Sequence, residues 1–292
     1  MSSTTSSQPV LAIDAWAQLA PPNLIERVPE IGRLMQQSGT AHLLGNGVSP
    51  ETMITQMDAA GIRAVLLSAW HRPGGWVFSN DEVAAICRQF PGRFYGVAAV
   101  DLERPVAAVR ELERAVHELG FIALRIIPWL WNRPPNDKLY YPLYVKCIEL
   151  DIPFCTQVGH TGPLMPSEPG RPVPYLEEVA LTFPELKIVG GHIGYPWTDE
   201  MIGQAWKHEH VYIDTSAYLP RYYPPQLIRF LSTYGRDKVL FGTNFPMLPF
   251  DRCCQQAAEL ELKDDVRALF MHGNAERVFR LPPADTTAPA VR

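Results

Sequence analysis

The stretch VLAIDAWAQLAPP, residues 10–22, opens the regular pattern of this 292-residue chain. Its first part, VLAIDAW (10–16), is apolar throughout except for one carboxylate, Asp14. A run without alternation suits a strand buried on both faces, as in a parallel sheet covered by helices. Seven further runs have the same character: RAVLLSAW (63–70), FYGVAAVD (94–101), FIALRIIP (121–128), IPFCTQV (152–158), LKIVGGH (186–192), HVYIDTS (210–216) and DKVLFGTN (237–244). Helical segments are predicted after them, near 50–60, 79–90, 104–119, 139–150, 174–183, 198–208, 224–234 and 254–272. Eight strand-then-helix units in a chain of this length predict an α/β fold, the closed (β/α)8 TIM barrel. A doubly wound open sheet is the competing arrangement, and no GxGxxG turn follows the first strand to support it.

Local boundary signals agree. Ser49-Pro50-Glu51 places a capping hydroxyl before a Pro-Glu start, and Gly61, Gly120 and Gly235 stand where helices should stop. Residues 19–48 form an insertion between the first strand and its helix. One barrel domain is expected over 10–281, between a polar disordered leader (1–9) and a loose Pro/Ala/Thr-rich tail (282–292).

Hydrophobic residues make up 47% of the chain, enough for a large core, and the net charge of −5 comes without any basic stripe. Nucleic acid is therefore not an expected partner. No apolar stretch approaches the roughly 18 residues of a membrane span, and the leader lacks the basic and apolar regions of a signal peptide. The five cysteines are odd in number and show no C-x-x-C spacing. Reduced thiols in a cytoplasmic protein are the expectation, not a disulfide scaffold or zinc ribbon.

The segments after the strands carry the chemistry. In a barrel they share the C-terminal face, where sites are built. Trp70, Trp76, Trp129, Trp131 and Trp197 all fall there, with Tyr195 and Tyr218. Such rings suit either a dry cavity for a small aromatic ligand or an oligomer interface. The Pro-rich segment 162–180 brings Glu168 and Arg171 towards the barrel mouth, or pairs them with each other. His71 is expected to be exposed.

Five motifs then point to a family. IDAWAQ (13–18), VGGHIGYPW (189–197), YIDTSAY (212–218), VLFGTNFPM (239–247) and GNAERVFRL (273–281) together resemble the amidohydrolase-related family. That family includes aminocarboxymuconate semialdehyde decarboxylase and the resorcylate decarboxylases. The resemblance implies a metal held by Asp-x-His-x-His at strand one, a histidine at strand five, a histidine at strand six and the aspartate of Gly-Ser/Thr-Asp-x-Pro at strand eight. Here those positions read Trp16, Gln18, Gln157, His192 and Asn244, so one of five is retained.

Indole nitrogen has no lone pair to give, and a neutral amide oxygen is a poor zinc ligand. Asn244 cannot serve as a general base. No cofactor is therefore expected; zinc or manganese on His160 and His192 is the remaining metal alternative. His192, His160 and Asp14 are the candidate catalytic groups, and Asp214 is a second strand-end carboxylate. Trp16, Gln18, Arg125, Gln157, Asn244 and Trp129 are the candidate ligand-binding residues. Arg125 either clamps a substrate carboxylate or pairs internally with Asp101 or Asp14.

The function expected is metal-independent hydrolysis of an ester or lactone, or decarboxylation, on a small carboxylated or aromatic compound. The resemblance supports both, since one lactonase branch of the wider superfamily dispenses with metal. An inactive barrel that binds a partner protein is the alternative from another class. A homodimer is implied by the resemblance alone.

Overall fold

The computed structural model describes residues 11–283. The leader (1–9), Val10 of the first run and residues 284–292 of the tail lie outside the described residues. Eight parallel strands follow one another in chain order: β1 (Ala12–Gln18), β2 (Ile62–Ser68), β3 (Phe94–Ala98), β4 (Ala123–Ile126), β5 (Phe154–Gln157), β6 (Ile188–Gly191), β7 (Val211–Asp214) and β8 (Val239–Leu240). Each pairs with the next, and backbone bonds then join the two ends. Ala15 donates to Phe241 (3.0 Å), Asn244 to Trp16 (2.8 Å) and Gln18 to Phe245 (3.1 Å). That closure makes a (β/α)8 TIM barrel and disposes of the open sheet. All seven residues of β1 are buried, as the unalternating apolar run requires.

Helices cover the outside in the segments that follow the strands. The Pro50–Ala60 helix starts under the Ser49 hydroxyl, which accepts from the Thr52 amide at 3.1 Å, and stops at Gly61 with φ 74°. Gly120 likewise adopts φ 72°. Gly235 serves a different purpose. Its φ is not left-handed, and a β-carbon there would stand 2.3 Å from the Phe230 ring, so close packing excludes a side chain.

Three segments differ from the sequence reading. The expected helix at 254–272 begins earlier and is broken into Phe250–Ala258 and Asp264–Ala268. The Arg267 guanidinium fills the break, donating to the carbonyls of Ala257 (2.9 Å) and Leu260 (2.6 Å) that a helix end leaves open. Residues 70–78 fold into a two-stranded hairpin, Trp70–Arg72 against Gly75–Phe78, turned at Pro73-Gly74. The insertion contains three short α-helices among the described residues, Leu24–Arg27, Gly32–Ser38 and Leu43–Asn46, with a 3-10 turn at Pro29–Ile31, and residues from the first two stand over the barrel mouth.

Candidate ligand cavity at the barrel mouth

A cavity of about 330 Å³ opens at the C-terminal ends of the strands. Trp16 and Gln18 reach it from β1, Gln157 from β5, His192 from the turn after β6, and Asn244 from the turn after β8. Trp70, Phe78, Ile127, Trp129 and Tyr218 give it apolar walls, and His160 enters from the loop after β5. The insertion adds Arg33 and Gln37. Neither was singled out from the sequence, because an inserted segment has no strand register to fix where its side chains point. Among the described residues no carboxylate lines the cavity.

The amides are held in two neutral sets of bonds. Gln18 Nε2 donates to Asn244 Oδ1 (3.0 Å) and to the Phe245 carbonyl (2.6 Å). Asn244 holds a left-handed backbone, φ 68°, a conformation that asparagine tolerates better than most residues. Gln157 Nε2 donates to the His160 carbonyl at 3.2 Å and so steadies that loop. His160 is exposed, and its Nδ1 lies 3.2 Å from the Ser167 hydroxyl.

His192 takes φ 76° directly after β6. Its Nδ1 lies 2.8 Å from the Ser216 hydroxyl, and its ring packs at a tilt on Trp16, centroids 4.7 Å apart. Burial, reinforced by the positive charge of Arg125, pushes its pKa down to about 3, so the ring is neutral across the ordinary pH range.

Trp16 is the floor. It is 1% exposed, and the Arg125 guanidinium stacks beneath it, 3.6 Å from the ring centroid. Gly191 makes room for the indole: a β-carbon there would fall 2.5 Å from Trp16 Cζ3. The carboxylates lie in the fully buried interior and outside the cavity lining. Asp14 accepts from the amides of Trp16 (3.0 Å) and Thr243 (2.9 Å) and from the Thr243 hydroxyl, tying β1 to the segment after β8. Burial outweighs those bonds and lifts its pKa to about 7. Asp214 accepts from the Ser216 amide at 2.6 Å, while its Oδ2 has no partner among the described residues. Burial lifts this carboxyl to about 6, against the pull of the Ser216 hydroxyl and amide.

Several expectations need correction. Asp14 does not line the cavity, and its oxygens are occupied in closing the barrel, so it is not placed to act on a ligand there. Arg125 is 2% exposed and also absent from the lining. It donates to the Ala15 carbonyl (2.9 Å) and forms no ion pair with Asp14 or Asp101; Asp101 is instead 3.6 Å from Arg104. Register explains this, because Arg125 pairs with Cys155, two residues short of Gln157 on the neighbouring strand. Arg171 pairs with Glu200 (2.8 Å), and Glu168 accepts from Tyr175, so neither reaches the mouth.

His71 is half-buried against Trp76 and stacked on Trp131. Of the five tryptophans, Trp70 and Trp129 wall the cavity, packed edge-on at 6.5 Å. Trp131 is buried outside the lining, Trp197 meets Arg171, and Trp76, at 42%, is exposed. These rings therefore do not form one exposed aromatic face.

The donor set does not suit a divalent transition metal. Gln18 has its Nε2 turned towards Asn244, Trp16 fills the space beside Gly191 with carbon, and His192 and His160 are two imidazoles where about three ligands are usual. Among the described residues no group of three or more His, Cys, Asp and Glu side chains stands together.

The comparisons with known proteins agree on fold and kinship. The amidohydrolase family model matches residues 48–281. A gamma-resorcylate decarboxylase from Polaromonas sp. is 25% identical, over 79% of this chain and 83% of that protein. A 2-keto-4-carboxy-3-hexenedioate hydratase from Sphingobium sp. is 26% identical, over 68% and 70%. An uncharacterised TIM-barrel protein from Bordetella bronchiseptica superposes with a TM-score of 0.81 at 25% identity, covering 92% of this chain and 98% of that one. Among the described residues no helix is long and apolar enough to cross a membrane.

Proposed function

The chain belongs to the amidohydrolase family, and we propose that within it this protein is a metal-independent hydrolase of a small aromatic or unsaturated carboxylate carrying an activated ester or lactone. The observation that carries this reading is the cavity lining: apolar rings, neutral amides, the imidazoles of His192 and His160 and the guanidinium of Arg33, with no carboxylate among the described residues there. Arg33 is exposed and joins no ion pair among the described residues, so it is free to meet a ligand carboxylate.

The chemistry follows from the groups present. His192 holds a lone pair and no charge, so it enters as a base. It takes a proton from water while the water oxygen adds to the carbonyl carbon. The carbonyl oxygen gains the negative charge and accepts from Asn244 Nδ2, which among the described residues donates only to the Met247 sulfur at 3.8 Å. The adduct collapses, the C–O bond to the leaving group breaks, and the leaving oxygen recovers the proton from His192. An ester gives its acid and the leaving alcohol or phenol; a lactone opens to one hydroxy acid. Rates are expected to be modest, because no metal supplies its several kcal/mol of charge stabilisation.

Decarboxylation is the second reading, favoured by the kinship with the Polaromonas gamma-resorcylate decarboxylase. It asks for a proton donor to the ring carbon, and an imidazole held neutral by burial is badly suited to that. A cytoplasmic location and a homodimer belong to the proposal too, supported by five unpaired thiols and by the kinship. The partner-protein reading has lost its aromatic face.

The test is turnover of carboxylated aryl esters and lactones with a strong chelator present. Undiminished hydrolysis is expected, with His192→Ala lowering kcat about 10²-fold or more and Arg33→Ala acting mainly on KM. Hydrolysis abolished by the chelator and restored by zinc or manganese overturns the proposal. Carbon dioxide release from hydroxybenzoates, with esters untouched, overturns it in favour of the second reading.

A further inference from the structure

Three consecutive strands end in the same uncommon way. After β6, β7 and β8 a residue other than glycine is held in the left-handed region: His192 (φ 76°), Ala217 (φ 67°) and Asn244 (φ 68°), and all three line the cavity. Such a backbone is disfavoured and persists only where its surroundings impose it. Main chain imposes it here. The His192 amide donates to the Asp214 carbonyl at 3.1 Å and the Ala217 amide to the Thr243 carbonyl at 3.2 Å, so the three turns are bonded side by side. The turns after β6 and β8 present the base and the amide used in the reaction above. The turn after β7 lies between them. The alanine at its bend has no chemistry of its own; the residue it carries into the lining is Tyr218.

Tyr218 is half-buried, its ring packed at a tilt on Tyr195 with centroids 5.9 Å apart. The buried phenols of Tyr140 and Tyr144, away from the mouth, donate to the Arg133 and Pro135 carbonyls at 3.0 and 2.6 Å. The Tyr218 hydroxyl has no such partner among the described residues, so its hydrogen is available to a ligand in the cavity.

We propose that the Tyr218 hydroxyl is a further catalytic group, a second donor beside Asn244 Nδ2 to the carbonyl oxygen of the ligand. A carbonyl oxygen accepts two hydrogen bonds, and a single amide leaves one lone pair unmatched just as charge gathers there. When the water oxygen bonds to the carbon, the π pair moves onto the carbonyl oxygen, which then accepts from both Tyr218 Oη–H and Asn244 Nδ2–H. No proton leaves Tyr218, and the pair returns to the carbon as the leaving group departs. Burial, with Tyr195 alongside, pushes the phenol's pKa up to about 12, so it remains a donor across the ordinary pH range in which His192 is a base.

The inference deepens the hydrolase reading and rests on it for the reaction, but the hydrogen bond itself can be read in a bound probe. The probe is coumarin-3-carboxylate, an aromatic lactone with a carboxylate, labelled with 13C at the lactone carbonyl. Isotope-edited difference infrared spectroscopy on the full chain reports that carbonyl. Its stretch is expected to move to lower frequency on binding, and Tyr218→Phe, which keeps the ring on Tyr195 and removes only the hydroxyl, should reverse part of the shift. On the esters and lactones that the protein hydrolyses, the same variant should lower kcat about 10²-fold with KM little changed.

A carbonyl band identical in folded Tyr218→Phe and in the unaltered protein overturns the assignment, and so does undiminished hydrolysis in that variant, which leaves the hydrolase reading standing. Absence of saturable binding, or of any shift, in the unaltered protein overturns it even if the variant does not fold. A shift that depends on Tyr218 in a protein that hydrolyses none of these compounds upholds the donor and counts against the hydrolase reading instead.

Discussion

Above and below the Trp16 indole the same barrel holds two different chemical environments. Above it are amides, rings and a neutral imidazole, open to a cavity. Below it are Arg125, Asp14, Asp214 and Cys155, all buried and none in the lining. The lower layer's polar groups are met by main chain, by the Thr243 hydroxyl and by the stacking of Arg125 on Trp16; the upper layer keeps its polarity mostly without charge. The difference teaches that loss of ligating side chains need not produce a greasy hole. Gln18 and Asn244 bond to each other where charged or basic groups would need an ion between them.

The severest way to break this division is to remove its partition. Trp16→Ala should cost about 3–5 kcal/mol in chemical denaturation, the usual range for truncating a buried large ring. A loss below about 1 kcal/mol would mean that the indole is not packed as described. Gly191→Ala comes next, at about 1–3 kcal/mol, from overpacking against Cζ3. The two changes touch the same space, so the double variant should lose less than their sum.

Asp14 sharpens the comparison through pH. Its folded pKa, about 7, lies above the unfolded value of 3.8. Between those values the native state holds a proton that the unfolded chain has released. Stability from this group is therefore fully present below about 4 and is lost as pH rises through 7. His192 acts with the opposite sign between its folded value of about 3 and its unfolded 6.5, so the total curve mixes both. The clean measurement is Asp14→Asn minus unaltered protein. Its stability should rise relative to the parent between pH 5 and 8, by an amount on the order of 2 kcal/mol. A flat difference would place Asp14 in a wetter setting than its burial implies.

Smallest on this scale is Arg33→Ala, expected within about 0.5 kcal/mol because the side chain is exposed. Its effect should appear in ligand affinity, as a weaker response to carboxylated probes than to their uncharged analogues. Equal weakening of both would separate Arg33 from carboxylate recognition.

The barrel was legible because eight continuous apolar runs have few other ways to be buried. Strand-end positions were legible too: Trp16, Gln18, Gln157, His192 and Asn244 meet at one cavity, as their place at the ends of β1, β5, β6 and β8 implied. Height within the barrel was not. Sequence says that Arg125 and Asp14 point inward, but the register that sets them below the indole depends on pairing between strands. Arg33 and Gln37 were hidden for another reason, since the insertion carries no periodic signal to orient it. Ser216 stood in plain view two residues after Asp214, but a serine announces nothing until its neighbour across the sheet is known.

The fit between Trp16 and Gly191 also bears on how this mouth could be redesigned. A histidine at 16 alone would leave empty space beside a glycine, and a β-carbon at 191 alone has nowhere to stand. Seating an ion here would require several positions to change together, because Trp16 and Gly191 share one space and Gln18 is already bonded to Asn244.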